Sequence, residues 1–161
     1  MLKAINDRRA VRQYSSDKLT DDQVQNLVAA FQAAPCGMGQ TDVMQGLVIQ
    51  DPALLNAVEE STGNACYGAP FLLVILTKKD SQFGERDASV AAENVMVEAA
   101  DLGLGSVYVM GGAVKLNQDS ATRAKLGISS DFDVTTIVPV GKSAAAPNNS
   151  DRSNRYQVTM K

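Results

Sequence analysis

Between Thr20 and Pro35 the apolar residues Val24, Leu27, Val28 and Phe31 fall on one helical stripe, which predicts an amphipathic helix. Thr20, three residues before Gln23, has the spacing of a capping box, and Pro35 closes the element. CGMGQTD then reads as a loop and GLVIQ as a short buried strand. Asp51 and Pro52 open a second helix as cap and first-turn proline. The run PFLLVILT, Pro70 to Thr77, is apolar without alternation, as expected of a central strand covered on both faces. DASVAAENVMVEAADLGLG predicts a long helix with Val90, Asn94, Val97 and Ala91, Val95, Glu98 on neighbouring stripes, ended by Gly103 and Gly105. SVYVM reads as a strand and Lys115 to Leu126 as mostly helical. FDVTTIVPVG is a further strand, whose Pro139 places it near an edge or makes its end irregular. This alternation implies α/β or α+β layers around a sheet of four or five strands.

The tail KSAAAPNNSDRSNRYQVTMK is polar and turn-rich until RYQVTMK, where alternation predicts a last short strand. A strand so detached suits pairing with the sheet edge of a second subunit. At 161 residues the chain is expected to form one domain, 1–161, with 143–161 as a carboxyl-terminal extension.

Apolar residues make up 45% and charged residues 20%, and no run is long enough to span a bilayer, so a soluble chain without membrane partners is expected. No secretory leader is visible, which makes cytoplasmic the expected location and leaves the glycosylation triplet Asn148-Asn149-Ser150 idle. Cys36 and Cys66 lie far apart without a CxxC partner, against a disulfide framework or a thiolate metal site. The chain has no histidine, which removes Ser-His and Cys-His nucleophile pairs and weakens hydrolase readings. A net charge of -3 argues against a nucleic-acid surface.

Three stretches could carry chemistry. In RRAVRQY, Arg8, Arg9 and Arg12 are either a fork-rich phosphate clamp or a solvated basic surface. In APCGMGQTD, Gly37 and Gly39 let backbone amides approach a flat or anionic ligand, while Cys36 lacks an activating base and reads as inert. Met110-Gly111-Gly112 follows a strand end, either as a ligand site or as a tight turn. GLGSVYVMGG is not a dinucleotide fingerprint: it precedes a strand, and Tyr108 stands where a third glycine is required.

Taken in order, these segments resemble the FMN-dependent nitroreductase family, in particular its short single-domain members, over nearly the whole chain. RRAVRQY is similar to the family's RRSxRxF/Y opening, APCGMGQ to its APSGMNRQ loop and CYGAPFLLVI to its FYGAP strand entry. AAENVMVEAADLGLGS is similar to AAxNxxLAAxxLGLGS, the most specific match, and LGI, VPVG and Arg152 complete the order.

The resemblance implies an α+β, three-layer α/β/α sandwich with a central mixed sheet of four or five strands. It implies a homodimer with FMN in the interface and the carboxyl-terminal strand exchanged with the partner subunit. Arg8, Arg9, position 10 and Arg12 would hold the phosphate and ribityl chain, joined by Arg152. Pro35, Cys36, Gly37, Gly39 and Gln40 would reach the flavin from the neighbouring subunit, and Met110 and Gly111 would lie against its ring. The implied reaction is a ping-pong exchange in which NADH or NADPH donates hydride to flavin N5 and a small nitroaromatic, quinone or similar electron-poor acceptor takes it up. No protein acid or base and no metal is then required, since the flavin carries the chemistry.

Three positions depart from the family pattern. Ala10 replaces the usual serine, and a hydrogen bond lost to a charged group costs about 1.5–3 kcal/mol. Gly39 stands at the usual asparagine without the Gln-Pro-Trp continuation, and Met110 stands where some relatives have glutamate. These departures motivate an alternative reading, a flavin-binding or flavin-free dimeric module with reduced or lost reductase activity. A specialised reaction on the same fold, such as reductive dehalogenation or flavin breakdown, has no residue in its favour.

Overall fold

The apolar run forms β2, Phe71–Lys78, in a computed structural model that describes residues 1–146 and 151–161. Its side chains alternate with the two-residue period of a strand. Phe71, Leu73 and Ile75 enter one core with Leu27, Ala91, Val95 and Val138. Leu72, Val74 and Leu76 enter a second with Ile49, Val58, Leu116 and Ile137. Helices α2 (Asp21–Gln32) and α4 (Gly84–Asp101) supply the first core; α3 (Pro52–Thr62) and α5 (Gly111–Gln118) supply the second. The result is the expected α+β three-layer sandwich.

The sheet runs β1 (Met44–Ile49), β2, β4 (Phe132–Gly141), β3 (Gly105–Ser106), each strand antiparallel to its neighbour. In place of the expected mixed sheet, the four strands pair antiparallel, and parallel pairing is limited to one isolated bridge from Ala10, outside the strands, to Ser106 of β3.

The strand expected over SVYVM shrinks to Gly105–Ser106, and Pro139 supplies the reason. Ile137 and Val109 exchange both backbone bonds, N–H to O, at 3.1 and 2.9 Å, so this side of β4 faces the Val107–Val109 segment. Two residues on, Pro139 accepts from Val107 N at 3.4 Å but has no N–H to return. The ladder breaks there, and the Val109–Ile137 bridge resumes it on the same register. Pro139 thus sits in the strand beside the edge, on the side where little is paired.

Local signals behave as read at the helix starts. Gln23 N donates to Thr20 Oγ1 at 3.3 Å while Thr20 N donates to Gln23 Oε1 at 3.0 Å, a complete capping box. Asp51 Oδ1 accepts from Ala53 N and Leu54 N, each at 3.0 Å. The core face of α4 is Ala88, Ala91, Ala92, Val95, Met96 and Ala99, whereas Val90 is 44% exposed. Its alanines let α2 come close enough for Asn94 Nδ2 to donate to the Ala30 carbonyl at 3.4 Å. The helical stretch expected up to Leu126 divides at Asp119, whose carboxylate accepts from Thr122 N at 3.0 Å and starts α6, Ser120–Lys125. A short α1, Lys3–Asp7, precedes the arginines and has no counterpart among the elements expected from the sequence.

RYQVTMK is not a strand within one chain. Tyr156, Val158 and Met160 alternate along it and are 81%, 81% and 94% exposed, with no strand of the same chain beside them among the described residues. The Asn148-Asn149-Ser150 triplet lies outside the described residues. No helix among the described residues is long and apolar enough to cross a membrane.

Candidate functional site

The arginine segment is fixed on the β3–β4 edge of the sheet by backbone bonds. Val11 N donates to the Ser106 carbonyl at 2.9 Å and Ser15 N to the Lys142 carbonyl at 2.9 Å. Two glycines make this close approach possible, Gly105 and Gly141, which face each other across the β3–β4 pair. A Cβ on Gly105 would stand 2.7 Å from Val11 Cγ2; one on Gly141 would stand 2.7 Å from Pro70 Cδ and 3.1 Å from Tyr14 Cδ1. Tyr14 locks the segment from within, its hydroxyl donating to the Val11 carbonyl at 2.7 Å and the Pro139 carbonyl at 3.3 Å. Burial, reinforced by Tyr67, holds the phenol above its ordinary range, so it stays a donor. We expect Gly105→Ala to cost about 1–3 kcal/mol by urea unfolding, from overpacking against Val11. Adding Val11→Ala should cost less than the two single changes summed, because it removes the clash; strict additivity would show that this clash is not limiting.

Three connected grooves open around this segment. The first, ≈ 810 Å³, is lined by Arg8, Arg9, Arg152 and Arg155 with Glu93 and Asp151. The second, ≈ 740 Å³, is lined by Arg9, Ala10, Arg12, Lys3 and Lys142 with Asp7 and Asp101. The third, ≈ 430 Å³, lies among Arg12, Tyr67, Met110, Gly111 and Lys115. Arg9 borders the first and second and Arg12 the second and third, so one cationic track joins them.

The guanidiniums of the first groove are differently employed. Arg8 Nε is 3.2 Å from Glu93 Oε1, which leaves its two terminal nitrogens without a partner among the described residues. Arg152 crosses from the far end of the chain to cap α1, donating to the carbonyls of Arg8 at 3.0 Å and Ile5 at 3.2 Å, and also to that of Asn6. Cations near the carboxyl end of a helix are favourably placed. Arg9 donates to the Arg8 carbonyl at 3.0 Å. Desolvation pushes the Arg152 pKa below its ordinary value, and repulsion from the like charges of Arg9, Arg8 and Arg155 adds to it. An anion with several oxygens relieves that repulsion.

The APCGMGQ loop stands apart from these grooves within one chain. Gly39 and Gln40 are exposed, and Cys36 is half-buried with a free thiol. The loop is pinned by Asp87 in α4: both carboxylate oxygens accept from Gly37 N, at 3.1 and 3.0 Å. Beyond that anchor Met38 and Gly39 turn through φ 56 and 70, and the Met38 side chain is 82% exposed.

A second carboxylate shapes the third groove. Glu59, near the end of α3, accepts from Cys66 N at 3.0 Å through Oε2 and from Gly68 N through Oε1. Between those anchors Tyr67 is held at φ 59, an outlying conformation for an aromatic residue, as is Asn64 just before them at φ 61. Cys66 is buried, and desolvation, then the Glu59 charge, pushes its thiol up to about 12, so it is not a nucleophile.

The arginines, Ala10, Met110, Gly111 and Arg152 are therefore gathered on one continuous surface, while the 35–40 loop is not. Glu59, Asp87, Glu93 and Lys115 escape sequence reading because each acts across elements. The glycine pair, Gly105 in β3 and Gly141 at the end of β4, is the one sequence signal of the close approach that carries the arginines.

Against this geometry, the family model described as Nitroreductase family matches residues 40–142. The chain belongs to the nitroreductase family. A curated nitroreductase relative from Archaeoglobus fulgidus, provisionally named NADH dehydrogenase/NAD(P)H nitroreductase, is 29% identical over 147 residues, 87% of this chain and 83% of that protein. One of the same name from Methanothermobacter thermautotrophicus is 24% identical, covering 94% and 81%. Crystal structures of nitroreductases with bound FMN from Bacteroides fragilis and Desulfitobacterium hafniense superpose with TM-scores of 0.85 and 0.87. They cover 98% and 99% of this chain and 97% of each of those chains, at 18% and 15% identity, a likeness of fold. The family match takes in Met110, Gly111 and both loop carboxylates but begins after the arginine segment and ends before Arg152.

Proposed function

We propose that this chain is an FMN-dependent NAD(P)H oxidoreductase acting on small electron-poor acceptors such as nitroaromatics or quinones. The observation that carries the reading is the cationic track: three grooves linked through Arg9 and Arg12, from a cluster of guanidiniums at one end to the Met110–Gly112 backbone at the other. The residues present fit the cofactor. Arg8, its Nε oriented by Glu93, offers a free fork to a phosphate, and Arg9 and Arg152 add positive charge beside it. Arg12 and the Gly111 amide, at the start of α5, suit the polar edge of a flat ring, with Met110 as an apolar contact.

Bound FMN would supply two-electron transfer between a reduced nicotinamide and the acceptor. The chain's own work is to position the two, to keep positive charge near the ring's anionic edge through Arg12, and to keep Tyr14 protonated beneath the arginine segment. No histidine is needed for those tasks.

A homodimer is part of the proposal. The outer edge of β1 has no strand beside it among the described residues, and the Tyr156, Val158, Met160 stripe is exposed on the tail. Exchange of the tail onto a second copy would cover both. The same arrangement would let Pro35, Cys36, Gly37, Gly39 and Gln40 serve the partner's flavin.

Ala10 favours a second reading. It offers no hydroxyl on the wall of the second groove, which suits a chain that binds flavin without turnover. One experiment separates the readings. The purified protein should be yellow, bleach on anaerobic mixing with NADH or NADPH, and recolour rapidly with a nitroaromatic or quinone. Bleaching without recolouring selects the second reading; a colourless protein that takes up no added FMN overturns the first and leaves only the flavin-free form of the second.

A further inference from the structure

The third groove contains a cation for which the proposed chemistry has no task. Arg12 and Lys115 are its charged lining residues, and no carboxylate lines it, in a chain whose net charge is -3. Neither side chain enters a salt bridge among the described residues. Lys115 lies in the last turn of α5, four residues beyond Gly111, so it stands about 6 Å along the helix axis from the ring-edge position assigned to that amide. Its Nζ is 2.7 Å from where a Cβ on Gly63 would be, which places the ammonium against the carboxyl end of α3. That helix end attracts the ammonium without neutralising it. The loop beside it is built in advance: Asn64 and Tyr67 line the groove in left-handed conformations, and Glu59 anchors the loop through the amides of Cys66 and Gly68.

We propose that Lys115 is a specificity-determining residue that binds an oxyanion on the substrate, favouring acceptors that carry a carboxylate or a reductant that carries an additional phosphate over their neutral or less charged counterparts. The inference rests on the oxidoreductase reading for the identity of the substrate. The oxyanion chemistry itself is independent of turnover, because it follows from an ammonium without a carboxylate partner among the described residues, in a groove that no acid lines.

The test uses the full chain supplied with FMN, as wild type, Lys115→Gln and Lys115→Arg, each checked for native circular dichroism. Benzoate and benzyl alcohol are titrated while the amide resonances of Gly63, Gly111 and Gly112 are followed by NMR. Wild type should bind benzoate more tightly than the alcohol. Lys115→Gln should weaken benzoate about fivefold, the size of one partly exposed charge contact, and Lys115→Arg should keep most of the affinity. In turnover, the ratio of kcat/KM for 4-nitrobenzoate to that for 4-nitrobenzyl alcohol is compared with the ratio for NADPH to NADH. A fall of similar size in the first ratio assigns the oxyanion to the acceptor, and in the second to the reductant. Equal binding of benzoate by wild type and Lys115→Gln, with both ratios unmoved, overturns the proposal. A chain that reduces no acceptor fails the oxidoreductase reading instead, and the benzoate titration then decides the fate of Lys115 alone.

Discussion

Arg8→Ala is expected to weaken FMN binding by about ten- to a hundredfold, because it deletes charge-assisted bonds to the phosphate worth about 1.5–3 kcal/mol. The fold should barely notice. Within the chain the change removes an ion pair whose other partner, Glu93, is 51% exposed, worth at most about 1 kcal/mol, together with the packing of an Arg8 side chain that is itself 20% exposed. For a chain of this length the ion pair alone corresponds to a fall in Tm of about 2–4 °C. Isothermal titration of FMN-free protein measures the first quantity and calorimetry the second. Arg8→Lys should recover only part of the affinity, since an ammonium cannot use Glu93 to aim a planar fork. Glu93→Gln should weaken binding less than Arg8→Ala does, by loosening the orientation of Arg8 and leaving its charge. Full flavin occupancy of Arg8→Ala at submicromolar FMN would remove Arg8 from the phosphate site.

Glu59→Ala is expected to be the more damaging change to the protein itself. It leaves the amides of Cys66 and Gly68 without their acceptor in a loop that holds Tyr67 at φ 59. Loss of the part-buried bond from Cys66 to a charged group costs about 1.5–3 kcal/mol, a drop of roughly 3–12 °C in Tm, and the exposed Gly68 bond adds less because water can replace its acceptor. Glu59→Gln should fall between, because its amide presents one acceptor oxygen to two donors. The local consequence can be read through Cys66, which is buried and free. In a Cys36→Ser background, Glu59→Ala should greatly accelerate labelling of Cys66 by a thiol reagent, at denaturant concentrations well below global unfolding. A stability loss under about 0.5 kcal/mol with labelling unchanged would mean that other groups hold the loop.

The elements most legible in the sequence are those whose stability is local or whose burial is complete. The Thr20–Gln23 capping box and the Asp51 cap are set by neighbours in the chain, so spacing alone reveals them. β2 is legible because both its faces are covered, which leaves no polar alternation to misread. SVYVM has the composition of a strand, yet its pairing depends on the N–H that Pro139, about thirty residues away, cannot supply. RYQVTMK has the alternation of a strand without a partner in its own chain, and pattern carries no information about which chain supplies one. For the site, the residue types that meet an anion or a ring are visible as motifs. The carboxylates that fix the loops are not, since Glu59 and Asp87 read as ordinary solvated helix positions until the fold brings amides to them.

The alternation of β2 between two cores has a bearing on how the molecule comes apart. Leu72 and Leu73 are neighbours in the chain but belong to opposite sides of the sheet, so neither core can melt while the other keeps its central strand. Mechanically the layers behave as one cooperative unit, and partial unfolding is diverted to the periphery, where the Glu59-anchored loop and the arginine segment are fastened by a few bonds each. A ligand lying along those peripheral segments would stabilise the parts of the molecule most prone to open, and so would lower its susceptibility to proteolysis as well as raise its resistance to global unfolding.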